Sequence, residues 1–212
     1  MTDEVLLRPV PFNWAARLVS ILFHPLLLGV LMAAYMIFGD TDMYIGMPRA
    51  ATLRFITFVT NNLVFPMIVV LLLRGLGFSR SMMMRTQRER IVPYMACITF
   101  YFWTWLVYRN LPDVPVELAD MVFGMFLAAS AGMLLNSFFK ISMHAIGVGG
   151  MMGLVVVLLR TGQMRSVLPI SAAILITGAV CSARLADSDH RGFDLVTGLL
   201  VGFLAQMIAH WI

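Results

Sequence analysis

Charge is what this chain has least of. Only 12% of its 212 residues are Asp, Glu, Lys or Arg, while 60% are hydrophobic. Soluble domains carry about 25% charged residues. So little polar side chain excludes an ordinary water-soluble domain and makes lipid the expected solvent. Cysteine is nearly absent as well. Cys97 and Cys181 both sit in apolar runs and read as small buried hydrophobes, not as a disulfide or metal pair. No HExxH and no Cys/His set is present, so no metal site is expected, although Asp187, Asp189 and His190 stand close together in the chain. Repeats and low-complexity linkers are missing too, and residues 1–212 read as a single integral membrane domain. The N-terminal residues are acidic before they are basic. They lack the positive start and small-residue cleavage site of a signal peptide, so the first apolar segment is expected to stay in the mature protein. The net charge of +4 is spread over loops and calls for no nucleic-acid partner.

Long apolar runs are what the chain has in abundance. A spanning helix needs roughly 20 mostly apolar residues. Candidate spans are 17–38, 53–73, 91–108, 117–136, 144–160, 168–185 and 192–211. Lipid offers no partners for open backbone groups, so all are expected to be helical. The third and fifth are short enough to be tilted or partly re-entrant. The expected fold is an all-α polytopic transmembrane bundle with six or seven spans. Pro93 is expected in the first turn of its helix, where its missing N–H does no harm. Within the spans, His24-Pro25 reads as a kink with a local hydrogen bond. Asn61-Asn62 is expected to bond between helices, and the 18 methionines read as lipid-facing and core filler.

The remaining polarity is concentrated in three segments: RTQRERIVP (85–93), KISMH (140–144) and RLADSDHRGFD (184–194). Two spans separate each from the next, so all three are expected at one membrane face. Ten of the fifteen Lys and Arg fall on that side, which the positive-inside rule would make cytoplasmic. Six of the ten (Arg85, Arg88, Arg90, Lys140, Arg184 and Arg191) belong to the polar segments themselves. The other four, set against five on the opposite face, define no orientation.

Each segment has a chemical reading beside a plainer one. His190 and Asp194 are four apart and share a helix face. Asp194 can therefore accept from one ring nitrogen of His190 and leave the other as base or nucleophile. Arg184 brings a fork that suits phosphate oxygens. The plainer reading of the segment is a solvated turn. Ser142 is a candidate N-cap whose helix offers free backbone N–H groups to an anion, with His144 in the first turn and Lys140 beside it. One histidine can attack while the other protonates a leaving oxygen; a lone histidine there would serve as a cap. Gly147, Gly149 and Gly150 allow close helix approach. Arg85, Arg88 and Arg90 can clamp a phosphoryl group or simply meet anionic headgroups.

Together the segments resemble the type 2 phosphatidic acid phosphatase superfamily, which includes the vanadium haloperoxidases. Its signatures are K-x6-R-P, P-S-G-H and S-R-x5-H-x3-D. The third is matched as Arg184, five residues, His190, three residues, Asp194, with Ala183 in place of Ser. The second survives as Ser142 and His144, with Ile141 and Met143 replacing Pro and Gly. The first is degenerate: two residues separate Arg90 from Pro93, and Met83 stands where Lys belongs, with Arg85 as an alternative. Random placement of 14 Arg, 4 His and 8 Asp yields about 0.01 matches to R-x5-H-x3-D. The likeness covers about residues 80–211; residues 1–75 are N-terminal transmembrane helices without a motif.

The resemblance implies a metal-independent membrane phosphatase. His190 would be the nucleophile that forms a phospho-histidine, oriented by Asp194, and His144 the general acid. Arg184, Arg90 and the Ser142 region would hold the phosphate, with Arg85, Arg88 or Lys140. No cofactor is implied. The implied substrates are lipid phosphates or pyrophosphates: undecaprenyl pyrophosphate, phosphatidic acid, phosphatidylglycerol phosphate or lipid A. The implied setting is a bacterial inner membrane. Met143 puts bulk where the backbone should approach phosphate. Two other functions remain open: an anionic-lipid transporter or flippase, which would need access to both faces, and an inactive relative serving as scaffold.

Overall fold

Backbone groups facing lipid must close their hydrogen bonds locally, and helices do so. The computed structural model describes residues 14–76, 87–187 and 191–212, and every regular element in them is helical. Six stretches among the described residues are long and apolar enough to cross a membrane: Pro48–Leu72, Arg90–Tyr108, Val116–Asn136, Met143–Arg160, Leu168–Ala186 and Gly192–Trp211. The bent pair Trp14–Leu22 and Pro25–Phe38 makes a seventh if it is one span. The protein is an all-α transmembrane bundle of six or seven spans.

Helix α1 (Trp14–Leu22) meets α2 (Pro25–Phe38) at 51°. Pro25 has no N–H to continue a helix arriving from α1, but it fits the first turn of a new one. His24 is the N-cap, and its Nδ1 accepts from the Leu26 N–H at 3.4 Å. Helix α3 (Pro48–Val59) continues into α4 (Phe65–Gly75) through a π-helical turn, Thr60–Val64. Pro66 cannot donate to the carbonyl one turn back. The wider turn absorbs that mismatch, and Phe65 donates to the Thr60 carbonyl. Asn62 departs from expectation: it is buried and its Nδ2 donates to the Phe58 carbonyl of its own helix, not to a neighbour.

Helix α5 (Gln87–Tyr108) starts before the expected residue 91, so Pro93 lies inside it and not in its first turn. The missing N–H falls near the polar end of the helix, where the unpaired carbonyl costs least. The bundle is completed by α6 (Val116–Asn136), α7 (Met143–Arg160), α8 (Leu168–Asp187) and α9 (Gly192–Trp211).

Helices α7 and α9 run parallel in direct backbone contact. A Cβ at Gly149 would strike the Leu199 backbone, and one at Gly153 the Phe203 carbonyl. One at Gly198 would press on the Ser142 carbonyl and the Ala145 side chain. A Cβ at Gly202 would overlap the Ile146 carbonyl. Glycines four apart form one stripe on each helix, the pattern that lets membrane helices approach closely. Gly149 thus serves the close approach expected of it, while Gly147 faces Pro25 and Leu28 of α2. Because the seam is parallel, both helices begin at the same end of the bundle.

The other end is fastened by paired side chains. Arg54 of α3 donates from Nε and Nη2 to both carboxylate oxygens of Asp113, each at 2.9 Å. The Tyr108 hydroxyl donates to the Arg54 carbonyl at 2.7 Å. Arg165 pairs with Asp42, and His210 Nδ1 lies 2.9 Å from Asp120 Oδ2.

Candidate functional site

The described parts of the three polar segments meet where α5, α7 and α9 begin. Arg90 is buried in the first turn of α5, and its Nη1 donates to the Ile141 carbonyl at 2.9 Å. Ser142 is fully buried. Its Oγ accepts from the Ala145 N–H at 3.4 Å, so it caps α7 as its sequence setting predicts. The Ser142 backbone N–H donates to the Asp194 carbonyl at 3.4 Å. Asp194 is buried in the first turn of α9, and its Oδ2 accepts from the Arg191 N–H at 2.9 Å. Its carboxylate also bears electrostatically on the Arg90 guanidinium. Two helix N-termini, with their partial positive charges, are therefore side by side.

Arg184 and His144 occupy the same end. Arg184 lies in the last turn of α8, half-buried, and its Nη1 approaches the Ser20 hydroxyl at 3.4 Å. His144, also half-buried, places Nε2 at 3.0 Å from the Ser20 carbonyl. Lys140 is half-buried in the stretch between α6 and α7. Arg85 and His190 lie outside the described residues, as does the side chain of Arg88. The expected hydrogen bond between His190 and Asp194 falls there too.

Two residues that sequence reasoning did not place in the site belong to its structure. Ser20, buried in α1, engages both His144 through its carbonyl and Arg184 through its hydroxyl. One serine in an apolar helix carries no sequence signal. His24 did carry one, as an ionisable residue inside an apolar run. It makes the expected kink and local hydrogen bond, and its ring also stands edge-on to His144, with centroids 5.6 Å apart and planes at 86°. The Arg184 guanidinium bears on it electrostatically.

The chemistry available is that of an anion site with titratable groups. Buried arginine beside helix N-termini can stabilise charge on a phosphoryl group, and histidine can move protons. Among the described residues, no three His, Cys, Asp or Glu side chains are grouped as a metal site would need. Compared with protein-family models, curated proteins and solved structures, the chain matches none.

Proposed function

We propose that the protein is an integral membrane phosphatase that hydrolyses a lipid phosphate or pyrophosphate through a phospho-histidine intermediate. One observation carries the reading. Segments separated by pairs of spans, each holding part of a three-part phosphatase signature, are joined at one end of the bundle by the Arg90–Ile141 and Ser142–Asp194 hydrogen bonds. In this reading Arg184 and Arg90, with the Ser142 region and Arg85, Arg88 or Lys140, neutralise the phosphate oxygens. His190 attacks phosphorus while Asp194 holds its ring. The bond to the leaving oxygen breaks as His144 gives that oxygen a proton, and water then cleaves the P–N bond to release inorganic phosphate. The acyl or isoprenoid tail remains in lipid while the headgroup meets the arginines, as suits an enzyme of a bacterial inner membrane.

Transport fits less well. At the opposite end three charge pairs are formed (Arg54 with Asp113, Arg165 with Asp42, Asp120 with His210), and the α7–α9 seam between the ends is closed by glycine backbone contact. The reading is tested by presenting purified protein in nanodiscs with a panel of lipid phosphates and measuring released phosphate. Turnover of at least one lipid by the wild-type chain, and none by His190→Ala, is the expected result. Equal turnover by both sinks the assignment.

A further inference from the structure

His144 is held by a part of the chain that lies outside all three signatures. Its Nε2 is 3.0 Å from the Ser20 carbonyl. A carbonyl oxygen only accepts, so Nε2 carries the hydrogen in this bond whether the ring is neutral or cationic. Nδ1 is then the nitrogen that gains and loses a proton while the bond persists. A further constraint on the ring is His24, which stands edge-on to it at 5.6 Å. His24 is itself fixed. It caps α2, its Nδ1 accepts from the Leu26 N–H, and Pro25 restricts the backbone that follows. Ser20 and His24 stand on the two sides of the 51° bend, and both reach His144 of α7.

We propose that His24 is a positioning residue for His144. Its ring and the Ser20 carbonyl together select the Nε2–H tautomer, so that the proton given to the leaving oxygen comes from Nδ1. The proton's destination rests on the phosphatase reading; the tautomer does not. In the chemical step the His144 imidazolium loses the Nδ1 proton to the leaving oxygen. The ring becomes neutral and its Nε2–H still donates to Ser20. The bent N-terminal span is then part of the working site and not only its support.

Two substitutions separate the ring contact from the helix cap. His24→Asn keeps a side-chain acceptor for the Leu26 N–H but removes the ring. His24→Phe keeps an aromatic ring but loses the acceptor. The experiment uses full-length protein in nanodiscs with 15N-labelled histidine, with the His144 signals identified by their loss in His144→Gln. At a pH where the ring is neutral, the wild-type chain is expected to show Nε2 protonated. His24→Asn is expected to show a mixture of tautomers, and His24→Phe to keep the wild-type pattern. An Nδ1–H tautomer in the wild type overturns the proposal, as does the same pattern in both variants. For hydrolysed lipids, His24→Asn should lower kcat on the order of tenfold with KM unchanged; an unchanged kcat overturns the catalytic part. If the wild-type chain hydrolyses no lipid phosphate, the phosphatase reading fails and the nitrogen signals still decide the positioning of His144.

Discussion

The backbone N–H of Ser142 donates to the carbonyl of Asp194, 3.4 Å away, and so joins the start of α7 to the start of α9. Fifty-two positions separate the two residues in the chain, and α8 lies between. The contact depends on the parallel glycine seam below it. If that seam opened, the two helix N-termini would part, and the anion site proposed between them would lose its geometry.

The seam is therefore where a small change should cost most. Gly202→Val would drive a branched side chain into the Ile146 carbonyl and the Gly150 nitrogen. Overpacking of this kind costs about 1–3 kcal/mol. The expected result is a clearly lower unfolding midpoint in detergent. Gly178→Ala makes the control, since a Cβ there meets nothing within 4 Å. Equal midpoints for the two variants would contradict the packing described.

Arg90 holds the Ile141 carbonyl and, in the proposed mechanism, a phosphate oxygen, and substitution can separate the two. Arg90→Leu leaves the buried Ile141 carbonyl without its described donor, and an unsatisfied buried group costs about 1–3 kcal/mol. Arg90→Lys retains a positive charge and a donor but not the planar fork. We expect the lysine variant to unfold close to wild type while losing most of its turnover. Turnover equal to wild type in the lysine variant would remove Arg90 from phosphate binding.

For the histidines, His144→Ala should lower kcat about 10²- to 10⁴-fold, the usual contribution of a general acid. A substrate whose leaving group needs no protonation, such as an activated aryl phosphate, should lose much less. Chelation by EDTA should leave turnover intact in the proposed mechanism, and vanadate should compete with substrate. Abolition by EDTA would replace the histidine mechanism with a metal-dependent one.

At the opposite end, the two hydrogen bonds from the Arg54 guanidinium hold the Asp113 carboxyl below its usual range. A carboxylate whose folded pKa is depressed stabilises the fold above its unfolded pKa of about 3.9 and loses that contribution as pH falls through the folded value. The stability difference between the wild type and Asp113→Asn should therefore be present at pH 7, constant down to about pH 5 and shrinking below about pH 4. At the bundle surface it should not exceed about 1 kcal/mol. Urea titrations across that range would measure it, and a difference that grew toward low pH would reverse the assignment.

Much of the architecture was legible in the order of residues. Spans such as Val116–Asn136 and Gly192–Trp211 follow from apolar length alone, because lipid forces every long apolar run to satisfy its own backbone. The even number of spans between Arg90, Ser142 and Asp194 was enough to expect them at one face. Ser142 was recognisable as a cap because the hydrogen bond it makes is local. Contacts between distant turns were not legible. Asn62 turned back to the Phe58 carbonyl of its own helix, and Pro93 fell inside α5 because a polar turn begins the helix earlier. Ser20 and His24 came to His144 through a 51° bend whose direction no local pattern specifies. Periodicity and hydropathy determine which residues enter the membrane and at which face they emerge. Packing of Gly149 and Gly202 against opposing backbone, together with the bend at Pro25, decided which of those residues touch.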